Sequence, residues 1–182
     1  MNARDAAMHL EAEERAGFRV YIAQGGFNPG GVGASGGTHD EGGALDTSTA
    51  GMSAKRKAKW LRVCKDTGWC VWLRPYIENL WIEHCHGVAR GCKNLAPLAA
   101  AQVGAFDRKE DGLRGDGMDY SYRPEPAVEF NWRKFKNRWK RKRALTRRIE
   151  ALTRTIKSTR HLLVAKVADL RETRKRRMRI SL

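Results

Sequence analysis

Two short segments of the chain hold the side chains best suited to chemistry. The first reads S-G-G-T-H-D-E-G-G-A-L-D from Ser35 to Asp46, and the second reads W-I-E-H-C-H from Trp81 to His86. His39 and Asp46 stand seven residues apart, across a Gly-Gly pair that lets the backbone turn sharply. We expect this turn to direct an imidazole and a carboxylate toward one centre.

Histidine and aspartate together form a suitable ligand set for zinc. His39, Asp46 and His86 would supply three protein ligands, with bonds of roughly 2.0–2.2 Å. Three protein ligands leave a fourth position for water, which is typical of a catalytic rather than a structural zinc site. Glu83 is a carboxylate just outside this ligand set, which is the usual kind of general base for such a water.

The charge is distributed unevenly along the 182 residues. The formal net charge is +16, yet residues 1–122 hold 15 Lys/Arg and 15 Asp/Glu and are neutral as a group. Residues 123–182 hold 21 Lys/Arg and 5 Asp/Glu, so they carry the whole excess. We therefore predict two parts with different roles, a neutral globular domain over 1–122 and a basic helical tail over 123–182.

Cysteine spacing and the N-terminal sequence bear on the compartment. The four cysteines, at positions 64, 70, 85 and 92, show no C-x-x-C spacing, so we predict free thiols in a reducing cytoplasm. The first residues are acidic and lack an apolar region, so we expect no signal peptide. No apolar run approaches the roughly 18 residues that a membrane span needs.

The elements that must position these residues alternate between helix and strand. Apolar spacing and capping residues predict helices over 2–16, 53–67 and 95–106, and β-prone runs predict strands over 18–23, 43–49, 69–73 and 84–89. Residues 25–43 contain nine glycines in nineteen positions, which indicates a long folded loop. The predicted class of the first domain is α+β.

From about Ala127 to the C-terminus the pattern is helical and basic. Apolar residues recur at steps of three and four, at 145, 149, 152, 156, 163, 167 and 170, and this stripe is able to pair tails into an oligomer. Trp132, Phe135 and Trp139 form an aromatic stripe among Lys and Arg, which suits a membrane interface or a wall surface. It also suits nonspecific nucleic-acid binding.

The two reactive segments resemble a known family. The pattern S-x(2–3)-H-x6-D followed by E-x-x-H is similar to the zinc D-Ala-D-Ala carboxypeptidases and dipeptidases, which include the peptidase modules of phage endolysins. The closest resemblance is to a subgroup from actinobacteria and their phages, with T-H-D-x-G-G-A-x-D, W-x-R-P and E-H-x-H segments and D-G-L-x-G-x-G at residues 111–117. It covers about residues 1–120.

The resemblance implies a fold, a cofactor and roles for individual residues. The fold would be the small Hedgehog/DD-peptidase-like one, and His39, Asp46 and His86 would bind Zn²⁺. Glu83 would activate the zinc-bound water as general base and then pass the proton to the leaving amine. The protein would be a metallopeptidase that hydrolyses an amide bond in peptidoglycan stem peptides, as a carboxypeptidase or a lysin-type endopeptidase.

Other candidate site residues contact the substrate in this interpretation. Ser35 would be a substrate contact or support a ligand. The E-x-x-H spacing favours His86 over His84 as the ligand, and leaves His84 as its neighbour or a substrate contact. Many relatives carry an Arg before the first histidine that helps to hold the carbonyl oxygen, but residues 24–28 here read Q-G-G-F-N. Gln24, Asn28 or Arg74 would have to replace it.

Two other functions remain open from the sequence. The first is a non-catalytic wall-binding protein or virion component that uses the peptidase fold only to dock. The second is an anion-binding or nucleic-acid-binding protein that acts through residues 123–182. A neutral first domain argues against nucleic acid as the main partner, since a dedicated nucleic-acid domain is itself basic. We expect the protein to act at the bacterial cell wall, with the tail attracted to an anionic envelope polymer or membrane surface.

Overall fold

The computed structural model describes residues 1–30, 33–113 and 117–180, with only the backbone of 169 and 172–180. The chain divides into two compact units, Met1–Trp132 and Arg133–Leu182. The first unit is α+β, as the sequence predicts, and the second is a single long helix. No helix among the described residues combines the length and the apolarity that crossing a membrane requires.

The first unit is built on one antiparallel sheet of four strands. In chain order the strands are β1 (Ile22–Gly25), β2 (Ala44–Ser48), β3 (Trp69–Arg74) and β4 (His84–Ala89). Their spatial order is β1-β2-β4-β3, so β4 lies between β2 and β3 in the middle of the sheet. Side chains alternate between the two faces of each strand. Residues on the central strands therefore face either of two separate cores.

Three helices cover the sheet, and their ends follow the capping residues in the sequence. Helix α1 (Ala3–Ala16) begins after Asn2, whose side chain accepts a hydrogen bond from Asp5 N, and helix α2 (Ala54–Asp66) is capped by Ser53 in the same way. Helix α3 (Pro97–Asp107) has proline in its first turn. The long helix α4 (Trp132–Ile180) follows an irregular segment.

Each face of the sheet has its own apolar core. On one face α1 and α2 pack on the sheet through Met8, Ala12, Trp60 and Cys64. On the other face α3 packs through Ala99 and Phe106 against the strands. All four cysteines are buried free thiols, as predicted. The reactive segments described above converge on the α3 face.

Two predicted element boundaries and the end of the first unit differ from the structure. The first strand is Ile22–Gly25 rather than 18–23. These are the residues that pair with β2, and Gln24 lies opposite Asp46. The long helix begins at Trp132 rather than near 127. The first compact unit also extends ten residues beyond the predicted boundary at 122, because this segment packs on the sheet domain. Arg123 donates to the Phe106 carbonyl oxygen at 2.7 Å, and Phe130 packs against the first core.

Candidate metal centre

One row of side chains across the sheet forms the floor of the site. In the strand register Gln24 pairs with Asp46, Asp46 with His86, and His86 with Trp72. Residues that pair directly in neighbouring strands project their side chains on the same face. Asp46 and His86 are therefore brought together by strand pairing, although they are 40 residues apart in the chain.

The glycine-rich loop brings His39 to the same row. The Gly42-Gly43 pair makes the predicted sharp turn before β2, with Gly43 at φ +83°, a backbone conformation that L side chains rarely adopt. Asp5, buried in α1, holds this turn by accepting a hydrogen bond from Gly43 N at 2.9 Å. His39 is 1% exposed, so the loop places its imidazole inside the domain.

His39, Asp46 and His86 form a cluster that can hold a metal ion. Their ligand atoms all lie within 4.8 Å of one another. Asp46 Oδ2 lies 3.3 Å from His39 Nε2, and Asp46 Oδ1 lies 2.7 Å from His86 Nδ1. The predicted ligand set therefore converges on a single carboxylate.

The hydrogen bonds around His86 indicate which of its nitrogens carries a proton. Gln102 donates from Nε2 to the Gly112 carbonyl oxygen at 2.9 Å, so its Oε1 is left to accept from His86 Nε2, also at 2.9 Å. With that proton on Nε2, a neutral His86 turns a lone pair on Nδ1 toward Asp46. Two acceptors at 2.7 Å must share a cation, either a second proton on the ring or a metal ion.

His39 repeats this arrangement. Its Nδ1 lies 3.3 Å from the Gly25 carbonyl oxygen, which only accepts, and its Nε2 faces Asp46. In their neutral forms both imidazoles thus direct a lone pair at one carboxylate, while their other nitrogens donate to fixed oxygens. This is the usual arrangement around histidines that bind metal. The donor set therefore fits a divalent cation.

The charge of Asp46 supports the same conclusion. Burial by itself would raise the pKa of Asp46, but when the two rings are protonated the hydrogen bonds and charges of His39 and His86 outweigh it and hold the pKa well below its ordinary value. The carboxylate is therefore ionised and available as a ligand. An anionic group with two imidazoles is a ligand set that zinc accepts.

A cavity of about 280 Å³ opens over the cluster. This volume is near the lower end of the range for small-molecule sites. Besides the cluster itself, its polar lining consists of Gln24, Ser35, Thr38, Arg74, His84 and Gln102. An adjoining groove of about 670 Å³ shares Ser35, Thr38 and Gln102 with it and continues along α3 past Leu98 and Ala101. The two together form an elongated depression with the cluster at one end.

Of the predicted substrate contacts, four line the cavity and one does not. Ser35 accepts a hydrogen bond from Gln24 Nε2 at 3.1 Å, and both line the wall together with His84 and Arg74. The prediction for Asn28 is not matched, because it is exposed and lies outside the cavity lining. Residues 114–116 of the D-G-L-x-G-x-G segment lie outside the described residues.

Arg74 has an unusual environment among the described residues. It is 4% exposed and its guanidinium lies 5.2 Å from the Trp72 ring centroid. Its Nη1 donates to the Asp111 carbonyl oxygen at 2.7 Å, whereas Nη2 has no partner in the described part of the chain. A buried donor without a partner is costly, so an acceptor supplied by a ligand would stabilise it.

Glu83 lies outside the cavity lining. Its carboxylate accepts hydrogen bonds from Thr49 Oγ1 at 2.7 Å and from the Lys57 ammonium of α2. The bond from Lys57 is the main reason that the pKa of Glu83 lies below its ordinary value. Glu83 precedes β4 by one residue, so alternation directs it toward the α2 face, away from His84 and His86. This placement does not match the general-base role that the resemblance implies.

Two residues that support the site were missed by the sequence analysis. Gln102 orients His86, and Asp5 holds the turn before β2. Gln102 lies on α3 without a motif around it, and no signal in the sequence marks it. The acidic residue in the first turn of α1 was consistent with helix capping alone. Both roles depend on helices packing against the sheet.

Comparisons of the chain with protein-family models, with curated proteins and with solved structures found no match.

Proposed function

We propose that this protein is a zinc-dependent peptidase that hydrolyses an amide bond in peptidoglycan stem peptides. The observation that carries the proposal is the convergence of two imidazoles on the carboxylate of Asp46 at the floor of a cavity. The motif resemblance supplies the substrate class. Zinc bound by His39, Asp46 and His86 would polarise the scissile carbonyl and lower the pKa of a water molecule.

His84 is better placed than Glu83 to act on the substrate. Its Nε2 lies 3.9 Å from Asp46 Oδ2, and it lines the cavity beside the ligand cluster. Its Nδ1 lies 2.7 Å from the Ile82 carbonyl oxygen, which orients the ring. We therefore assign proton transfer to His84. We assign a structural role to Glu83, whose ion pair with Lys57 holds the start of β4 against α2.

Arg74 is the candidate for binding the substrate's carboxylate. Arg74 pairs with His84 on the neighbouring strand, two residues along from the row that contains Asp46 and His86. Its Nη2 donor would bond to a carboxylate or to the scissile carbonyl oxygen, replacing the Arg absent from residues 24–28. The adjoining apolar groove would hold the remainder of the peptide. We favour cleavage close to a free C-terminus.

The test is digestion of purified peptidoglycan and of synthetic stem peptides, with products identified by mass spectrometry. We expect a D-amino acid or a short fragment to be released. A chelator should stop this release, and added zinc should restore it. Binding to the wall without any cleavage, by a zinc-loaded protein, would favour the non-catalytic alternative instead.

The basic tail supports a second, accessory role. Residues 133–143 include eight Lys or Arg and no acidic residue. We propose that this segment attracts the protein to an anionic envelope polymer. Retention on isolated walls should then fall steeply with salt and should be lost when residues 133–182 are removed. Salt-independent retention would contradict this role.

A further inference from the structure

Helix α4 exposes an apolar stripe that nothing in the described structure covers. Six members of the stripe are each between 54% and 68% exposed, namely Leu145, Ile149, Leu152, Ile156, Leu163 and Leu170. They are spaced mostly at three or four residues, so they lie along one side of the helix. Burying such a stripe requires a partner surface of the same length.

The stripe has the residue pattern of a two-stranded coiled coil. When the seven positions of a heptad are lettered a to g, isoleucine occupies a at 149 and 156, and leucine occupies d at 145 and 152. Further along, leucine occupies a at 163 and 170, while d is polar, with Thr159 and Lys166. Isoleucine at a with leucine at d favours two parallel strands. Both positions are apolar from 145 to 156, and the a position stays apolar to 170, over 26 residues or about 39 Å of helix.

The positions beside the stripe avoid repulsion between two copies. In a parallel pair each g position faces the e position five residues later in the other chain. These pairs are Arg148 with Thr153, Thr155 with Arg160, and Leu162 with Val167. None of these g–e pairs places two cations together, and the like-charge contact in this register is Lys166 at d with its own copy. The segment 145–170 carries six Lys/Arg and two Asp/Glu, against eight Lys/Arg and no acid in 133–143, so charge is lowest where the copies would meet.

We propose that residues 145–170 pair with the same segment of a second chain as a parallel two-stranded coiled coil. A lipid surface fits less well, because an interfacial helix presents a wide apolar face bordered by cations. Between 145 and 156 the stripe is narrow and is bordered by three threonines, at 146, 153 and 155, and by Arg148. Pairing in parallel places the two copies of the basic segment 133–143 at the same end. The dimer would then present a doubled anion-binding segment to one polymer.

The experiment compares two full-length double variants that add the same charge. Ile149→Lys with Ile156→Lys places lysines in the stripe, and Ala151→Lys with Ser158→Lys places them on the outer side of the helix. Sedimentation equilibrium should give twice the chain mass for the wild type and for the outer-side variant, and the single chain mass for the stripe variant. A monomeric wild type, or a stripe variant that stays dimeric, would overturn the proposal.

Orientation is tested with a single added cysteine. Leu152→Cys should form an interchain disulfide on mild oxidation, because equivalent d positions adjoin each other only in a parallel pair in register. Ser158→Cys on the outer side is the matched control, and the four native thiols are buried. A dimeric Leu152→Cys variant that does not crosslink would contradict the parallel arrangement. A monomer that binds anionic vesicles only with an intact stripe would assign the stripe to lipid.

Discussion

Asp46 and His86 stand opposite each other on β2 and β4, with Oδ1 of the carboxylate 2.7 Å from Nδ1 of the imidazole. Because Gln102 accepts from the other nitrogen of His86, this contact requires either a second proton on the imidazole or a metal ion between the two groups. The contact also explains why the ligands come from distant segments. Strand pairing places them together before any metal binds.

Loss of one ligand should abolish metal binding. We expect about one zinc per wild-type chain after purification without chelators, and almost none in His39→Ala, because two remaining ligands hold zinc weakly. Elemental analysis measures this directly. His84→Ala is the matched control, since it removes an imidazole from the same cavity and should retain zinc. Wild-type protein that stays metal-free when zinc is supplied would contradict the metal-site assignment.

Replacing His84 should affect turnover more than replacing Glu83. We expect His84→Ala to lower kcat by about 10²–10⁴-fold with zinc still bound, which is the usual contribution of a proton-transferring side chain. Glu83→Gln should keep most of the activity, because Glu83 faces Lys57 and Thr49. Turnover of a stem peptide and zinc content are measured together. Full loss of activity in a folded, zinc-loaded Glu83→Gln would restore the role implied by the resemblance.

Arg74 should discriminate between substrates by their C-terminal group. A charge-assisted hydrogen bond contributes about 1.5–3 kcal/mol, so Arg74→Met should raise KM by about 10–150-fold for a peptide with a free carboxylate. The same peptide with a C-terminal amide should be little affected. Steady-state kinetics on the matched pair of substrates provides the measurement. An equal loss on both substrates would indicate that Arg74 holds the scissile carbonyl or supports the fold instead.

His9 should make the fold less stable in acid. It is 6% exposed, lies edge-on to Trp60 at 5.6 Å, and its burial lowers its pKa below the ordinary 6.5, although Glu13 opposes this. The unfolded chain then binds a proton more readily than the folded one. The free energy of unfolding should therefore fall as the pH falls below about 6.5.

The pH dependence is measured by urea unfolding with a chelator present, so that metal binding does not contribute. Comparing the wild type with His9→Gln isolates this residue, because His39 and His86 remain in both proteins. The variant should lose less stability between neutral pH and a pH one unit below the ordinary pKa of His9. Parallel curves for the two proteins would show that His9 does not contribute.

Several features of the fold could be predicted from local sequence. The starts of α1 and α2 follow the predicted helices closely, because the capping by Asn2 and Ser53 depends on a few neighbouring residues. The ligand cluster could also be predicted, since the Gly-Gly turn and the spacing of His39 and Asp46 are local properties of the sequence. Alternation along the predicted strand 84–89 is enough to put His84 and His86 on one face, and both line the cavity. The distribution of charged residues was enough to recognise the tail as a distinct segment, although its helix begins later than predicted.

Other features were decided only by tertiary structure. The three-residue spacing of Glu83 and His86 does not reveal that Glu83 contacts Lys57, because this depends on where α2 packs. Gln102 and Asp5 act on the site from two helices on opposite faces of the sheet, and no local pattern marks either residue. The sequence by itself determined the types and order of the ligands and the division of charge. Only packing decided which other side chains reach them, because such contacts join segments far apart in the chain.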